Sequence, residues 1–430
     1  MDLWRIRGGN RLEGAWTVQG SKNAALPILA ASLLCPGTVE LRRVPRLRDV
    51  DAALQILRDL GCRAAQEGDR VYIDASSVSG CRISHELMER MRSSVFFMGA
   101  LLARTGQARL SLPGGCQLGK RPIDLHLMAL RAMGAEIEEE GDEIICRPAR
   151  LRGAEILLPM PSVGATENAM LAACAAEGTT VIRGAAREPE ILALQDFLRR
   201  MGARIRGAGT DTVIIDGFLP ESGICFTLPA DRIAAATLAC AAAACGGDLC
   251  LQNCDPAHFS TVLYFLNQAG CAIMQKNDRV TLRSEGKLRP VGPVVTAPYP
   301  GFPTDAQPVL MAALLRAEGE SLFTENIFEN RYRQVPELRK LGAEIRLAGR
   351  QARVSGVQRL QGAAMEATDL RGGAAMILAG LCAEGESLVL DRGHIRRGYE
   401  DLSGCLRALG ADITYEGEEH GIFVQGAETL

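Results

Sequence analysis

Residues 49–74 read DVDAALQILRDLGCRAAQEGDRVYID. Val50, Ala53, Leu54, Ile56 and Leu57 recur at helical spacing, which predicts an amphipathic helix ending in Leu57-x-x-x-Gly61. Two short strands joined by a turn are expected after the glycine. Working outward, the signature Leu-x-x-x-Gly-Ala/Cys returns at Gly134, Gly202, Gly270, Gly342 and Gly410, at intervals of 73, 68, 68, 72 and 68 residues from Gly61. A second marker keeps step with it, a glycine opening a β-rich run at Gly37, Gly106, Gly178, Gly247, Gly319 and Gly385. Two markers in phase along the whole chain make it six copies of one unit of about 70 residues. An Ala-rich helix, apolar nearly all round, precedes each second marker, as in NAALPILAASLLCPG and TENAMLAACAAEG. That glycine can supply the positive φ of a helix C-cap. The unit therefore reads β-α-β-α-β-β, an α/β class protein in which the first helices are central and the second helices keep one polar face. Six units favour two domains of three.

At 430 residues with 47% apolar content the chain can bury a large core, and its net charge of −3 argues against generalised binding to nucleic acid or anionic membrane. The 14 cysteines are scattered and none forms a Cys-x-x-Cys pair, a usage that fits free thiols in a reducing compartment. Cys240, Cys245, Cys250 and Cys254 match no common zinc spacing and are read as small packed side chains. The opening MDLWRIRGGNRLEG is charged from residue 2 and has no apolar h-region, and the Ala-rich stretch 234–245 is too short to span a bilayer. A cytoplasmic protein is expected.

The starts of the apolar helices carry the chemistry. They read Ser21-Lys22-Asn23, Met91-Arg92-Ser93, Ser162-Val163-Gly164, Asp231-Arg232, Thr304-Asp305 and Thr368-Asp369-Leu370-Arg371. Ser, Thr and Asp there are read as N-caps. Lys22, Arg92 and Arg371 oppose the helix macrodipole, and a bound anion would compensate them. The second helices add Arg48, Arg121 and Arg397, each 13 residues before its terminal glycine. Cations at equivalent places of a pseudo-symmetric fold can converge, so an acidic chain of this kind looks built for a multiply anionic small molecule. One loop stands apart, SLPGGCQLGKRP at 111–122, in which Cys116 lies among Gly114, Gly115 and Gly119 beside Lys120 and Arg121. Neighbouring cations lower a thiol pKa, which suits Cys116 to act as proton donor or nucleophile.

Eight motifs carry a resemblance: SKNAALP (21–27), LPGGCQLGKRPIDLH (112–126), SVGATEN (162–168), AAREPEI (185–191), FPTD (302–305), FENRY (328–332), ATDLR (367–371) and RGYEDL (397–402). Together, and in this order, they resemble the UDP-N-acetylglucosamine 1-carboxyvinyltransferases of the enolpyruvyl transferase family. The resemblance implies a two-domain inside-out α/β barrel, with residues 22–229 in one domain, 1–21 and 230–430 in the other, and an active site in the cleft between them. The implied reaction moves the enolpyruvyl group of phosphoenolpyruvate to the 3′-hydroxyl of UDP-N-acetylglucosamine and releases phosphate, the first committed step of peptidoglycan synthesis. It implies no metal and no organic cofactor, two small-molecule substrates, and no nucleic-acid or membrane partner; the number of subunits is left open.

On the same grounds Lys22, Asn23, Arg121 and Arg397 are expected to clamp phosphoenolpyruvate. Cys116 matches the acid, which the epoxide fosfomycin alkylates, Asp305 the base, and Asp369 an aid to elimination. Arg92, Arg121, Pro122, Ile123, Asp124, Leu125, Ser162, Val163, Gly164, Asp305 and Ile327 match the nucleotide-sugar contacts. Lys22 and Arg397 fall in different domains, so they are expected to meet only when the cleft closes over an anion. Three departures from the family pattern are LPADRIAAAT at 228–237, Arg396 in place of a common Asp, and Met160 in place of a Lys found in some members. Two other readings remain open at this point. One is the shikimate-pathway enolpyruvyl transferase, against which the Cys116 loop and SVGAT stand; the other is a catalytically impaired nucleotide-sugar sensor.

Overall fold

Leucine-x-x-x-glycine works as a helix stop because the glycine can take a backbone conformation that other residues resist. In the computed structural model, Gly61, Gly134, Gly202, Gly270, Gly342 and Gly410 all have positive φ, between 89° and 107°. The structure describes residues 1–111, 123–147, 150–218 and 220–417, and at 92 and 93 the backbone alone. Each terminal glycine releases the chain into an antiparallel strand pair. In the third unit, Arg204–Arg206 pairs with Thr212–Asp216, which pairs in turn with Thr179–Arg183. Glu155–Leu157 then adds in parallel at the other edge. Six such four-stranded sheets form among the described residues.

Strands such as Thr179–Arg183 alternate buried and exposed residues, so each sheet covers the interior with one face and meets solvent with the other. The interior belongs to the apolar helices. Every residue from Arg232 to Ala244 in the helix Arg232–Cys245 is buried, as are all but Asn23 in Lys22–Ala31. Helices at the centre and sheets outside are the inside-out arrangement expected from a helix with no polar face. Phe97–Thr105 packs on both Val163–Ala173 and Lys22–Ala31; Gln307–Ala313 packs on both Leu370–Leu381 and Arg232–Cys245. At Gly99 a Cβ would collide with the Asn168 backbone carbonyl, so the first of these contacts needs a glycine. Each fully buried Ile28 or Leu29 contributes about 1.5–3 kcal/mol.

The apolar side chains gather in two cores. One runs from Ala24 to Leu228; the other takes Trp4 to Val18 together with Ala234 to Ile413. Two strand exchanges tie them. Gly14–Thr17, which leads into the first apolar helix, pairs with Gly247–Gln252 in the fourth unit. Ile224–Thr227, which leads into the fourth, pairs with Thr38–Arg42 in the first. The two connecting segments pass antiparallel, bridged at Gly20 and Ala230. The sixth sheet also departs from six contiguous units, because Asp2–Arg7 from the start of the chain lies between Glu386–Asp391 and Asp412–Glu416. The second-marker glycine is not always a C-cap either. Gly106 caps Phe97–Thr105 at φ 75°, but Lys22–Ala31 gives way to a 3₁₀ turn, Ser32–Leu34, before Pro36 and Gly37, and Gly246 rather than Gly247 caps Arg232–Cys245. Among the described residues no helix is long and apolar enough to cross a membrane.

Candidate active site

The crossing brings the two cores' helix starts together. Asp231, at the N-cap of Arg232–Cys245, accepts from the backbone N–H groups of Ile233 and Ala234 and also, at 3.2 Å, from that of Lys22. Ser21 caps the helix that Lys22 begins. Lys22 Nζ lies 2.7 Å from Asp49 Oδ2, and Asp49 Oδ1 accepts from Arg397 Nε at 2.8 Å. Lys22 belongs to the first core's opening helix, whereas Arg397 lies in the turn Ile395–Arg397 of the sixth unit. They do meet across the two halves, but over a carboxylate of the chain itself, a correction to the expectation that only a bound anion could join them. Asp49 is 2% exposed at its side chain and Lys22 11%. Burial alone would raise the Asp49 carboxyl, and Lys22 and Arg397 more than reverse it, leaving it below its ordinary value. For Lys22 burial dominates and lowers the ammonium pKa, with Asp49 the largest influence holding it up.

Beside this trio lies a second knot. Arg371 donates through Nε and Nη2 to Asp305 Oδ2 at 3.2 and 3.0 Å, and Arg331 Nη2 donates to Asp305 Oδ1 at 3.2 Å. Arg331 also stands 3.6 Å from Asp369 Oδ1, the oxygen that caps Leu370–Leu381 through the N–H groups of Arg371 and Gly372. Both guanidinium side chains are almost wholly buried, at 1% and 2% exposed, while Asp305 is 31% exposed. Burial pushes the Asp305 carboxyl up, but Arg371 and Arg331 hold it well below the usual carboxylate range. The Arg371 guanidinium lies 5.4 Å from the Tyr399 ring centre, and the Tyr399 hydroxyl pairs with Thr237 at 2.8 Å. Lys22 lies within electrostatic reach of Arg371 and Asp305, so the two knots form one charged centre. Within the chain, the helix-start cations Lys22 and Arg371 are thus paired with Asp49 and Asp305.

The remaining predicted residues are placed as follows. Asn23 is partly exposed one position along from Lys22. Ser162 caps Val163–Ala173 by accepting from Ala165 N. A Cβ on Gly164 would come 2.9 Å from the His126 ring, so that position is tied to a packed helix contact. His126 itself pairs with Asn168 and is pushed down to about 4 by burial, so it is neutral near pH 7. Ile123, Leu125 and Val163 pack partly buried against the first core, and Asp124 is exposed in the first turn of Asp124–Ala132 rather than at its cap. Ile327 is exposed on a turn pinned by Glu325, which accepts from Ile327 N and, through its other oxygen, from the Thr304 hydroxyl beside Asp305. Cys116, Lys120, Arg121 and Pro122 lie outside the described residues, as does the side chain of Arg92. Of the departures, Ala230 makes the crossing bridge and Arg232 pairs with Glu190 of the other half at 3.0 Å. Arg396 lies over Tyr415, and Met160 is exposed.

Sequence reasoning missed Asp49, Arg331 and the Arg232–Glu190 pair. Asp49 follows Arg48 at a helix start, where an acidic residue reads as a dipole complement. Arg331 lies inside FENRY, but no periodicity singles it out.

The comparisons with known proteins follow the same lines. The family model described as EPSP synthase (3-phosphoshikimate 1-carboxyvinyltransferase) matches residues 6–406. A protein named UDP-N-acetylglucosamine 1-carboxyvinyltransferase 2, from Caldanaerobacter subterraneus subsp. tengcongensis, is 47% identical over 413 residues, 96% of this chain and 99% of that one. UDP-N-acetylglucosamine 1-carboxyvinyltransferase 1 of Symbiobacterium thermophilum is 49% identical over 415 residues, 95% of this chain and 94% of its own. Among solved structures, the enolpyruvyl transferase NikO from Streptomyces tendae is similar with a TM-score of 0.85 at 28% identity, covering 96% of this chain and 98% of NikO. EPSP synthase from Acinetobacter baumannii, at 20% identity, has a TM-score of 0.75 over 97% of this chain and all of its own, a likeness of fold alone.

Proposed function

Since the chain belongs to the UDP-N-acetylglucosamine 1-carboxyvinyltransferases of the enolpyruvyl transferase family, we propose that it moves the enolpyruvyl group of phosphoenolpyruvate to the 3′-hydroxyl of UDP-N-acetylglucosamine, releasing phosphate. The observation that carries the reading is the meeting of Lys22 and Arg397, from opposite halves, on one buried carboxylate. A place built to hold a carboxylate between an ammonium and a guanidinium suits the carboxylate or phosphate of phosphoenolpyruvate equally well. Residues 22–229 would form one lobe and 1–21 with 230–430 the other, with this centre in the cleft.

Addition needs a proton on the methylene carbon and an oxygen nucleophile on the adjacent carbon. Cys116 delivers the proton. Asp305 accepts the proton of the sugar hydroxyl. Two guanidinium partners keep its carboxylate ionised but reduce its basicity, so the hydroxyl proton leaves as the new C–O bond forms rather than beforehand. The tetrahedral intermediate then loses a methyl proton and phosphate; Asp369 assists, and Lys22, Asn23, Arg121 and Arg397 receive the leaving charge. Arg92, Arg121 to Leu125, Ser162 to Gly164 and Ile327 hold the nucleotide sugar. Phosphate release with phosphoenolpyruvate and each acceptor is the test. Turnover with UDP-N-acetylglucosamine is expected. Turnover with shikimate 3-phosphate alone would overturn the acceptor assignment, and nucleotide-sugar binding without phosphate release would leave a sensor.

A further inference from the structure

Two cysteines meet where the proposed reaction uses nothing. Cys245 ends the helix Arg232–Cys245, and Cys382 stands immediately after Leu370–Leu381. They are 137 residues apart in sequence, yet their Sγ atoms lie 3.8 Å from each other. Both residues are partly exposed, whereas Cys174 and Cys240 are buried. A disulfide needs its sulfurs at about 2.05 Å, so a modest approach joins them. Both lie at helix ends, and Gly246, in a positive-φ conformation, follows Cys245 directly and lets that end adjust. The Cys245 thiol holds the Cys382 thiol below the ordinary cysteine value, with Arg316 acting in the same direction, whereas the hydrogen bond to Cys382 and then burial push the Cys245 thiol well above that value, which makes Cys382 the sulfur that attacks first.

The geometry points to a redox-responsive dithiol, in which a small disulfide such as oxidised glutathione converts Cys245 and Cys382 into an intramolecular disulfide. The Cys382 thiolate attacks one sulfur of the oxidant and expels the first small thiolate. The Cys245 thiolate then attacks the Cys382 sulfur of the mixed disulfide and expels the second. Two electrons pass to the oxidant, which leaves as two thiols carrying the two cysteine protons. The crosslink joins the far ends of two helices whose near ends present Arg232 to Glu190 of the other half and Arg371 to Asp305 of the charged centre. By closing a long loop it also restricts the unfolded chain.

The test uses the full chain, incubated with oxidised glutathione, alkylated and mapped by peptide mass. A linked Cys245–Cys382 peptide is expected, with a higher Tm that dithiothreitol reverses. In Cys245→Ala the expected product is a persistent glutathione adduct on Cys382 and no rise in Tm. The proposal is overturned if both residues are recovered as free thiols at a dose that oxidises other cysteines, or if each carries its own glutathione.

Discussion

Replacing Asp49 with Asn keeps the shape between Lys22 and Arg397 and removes the charge. Both cations lose a partner at 2.7–2.8 Å, but unequally, because Arg397 is 31% exposed and Lys22 only 11%. Water can take over part of the Arg397 charge, so the loss falls on Lys22. Its ammonium is already lowered by burial and repelled by Arg397 and Arg371, with Asp49 the largest force opposing them. An opposite charge at this range is worth about 1–3 pK units, or roughly 1.4–4 kcal/mol. Lys22 in Asp49→Asn should therefore lose its proton that much lower in pH. Since the proposed clamp needs a charged Lys22, kcat/KM for phosphoenolpyruvate should fall as pH rises through that pKa, and the alkaline limb should move down by about one to three units. On the acid side of the limb, where Lys22 remains charged, KM for phosphoenolpyruvate should fall, because no internal carboxylate competes for the cations. The assay is a pH profile of phosphate release, with Lys22→Arg/Asp49→Asn as the control, since a guanidinium does not titrate there and its alkaline limb should not move down. An unchanged limb in Asp49→Asn would refute the assignment of Asp49 as the group that keeps Lys22 charged.

Three further outcomes are expected. Asp305→Ala should lower kcat by at least about 10²-fold and, by leaving the buried Arg371 and Arg331 without a shared carboxylate, should destabilise the fold by about 3–5 kcal/mol in denaturant titrations; loss of nucleotide-sugar affinity with kcat intact would make it a binding residue only. Cys116 should be the thiol that fosfomycin alkylates, with Cys116→Ala inactive at neutral pH and Cys116→Asp partly active; peptide mapping that places the label elsewhere while activity is lost would sink that role. Glu167 is wholly buried with neither carboxyl oxygen hydrogen-bonded among the described residues, and burial, then Glu190 and Glu188, raise its pKa well above the ordinary value. Between the unfolded and folded pKa values the unfolded state holds fewer protons, so Glu167 makes stability fall as pH rises, by at most about 1.4 kcal/mol per unit. Glu167→Gln removes that slope, and its Tm relative to the parent chain should climb as pH rises above the ordinary glutamate range; a constant difference would show that the Glu167 pKa is not raised by folding.

What the sequence made legible follows the range of the forces involved. Leu-x-x-x-Gly acts within one helix turn, so six stops, their positive φ and the repeat could all be read from residue types. The buried helices were legible because a segment with no polar face has nowhere else to go. The strand exchanges were not, because Gly14–Thr17 and Ile224–Thr227 are short, similar edge strands and nothing local in either says which sheet completes it. The same distinction runs through the charged centre. Lys22 and Arg371 were conspicuous because each opposes its own helix dipole, a local conflict, and the sequence could say that a negative charge must answer it. It could not say whose. Asp49 and Asp305 come from other elements, brought in by the packing of Arg48–Asp59 on Lys22–Ala31 and by the stacking of Gln307–Ala313 on Leu370–Leu381. A chain that answers these cations with its own carboxylates keeps their charges compensated inside the fold. On the proposed reading phosphoenolpyruvate has to compete with Asp49 for Lys22 and Arg397, so Asp49, which no local signal distinguishes, would set the balance between the stability of the site and its affinity.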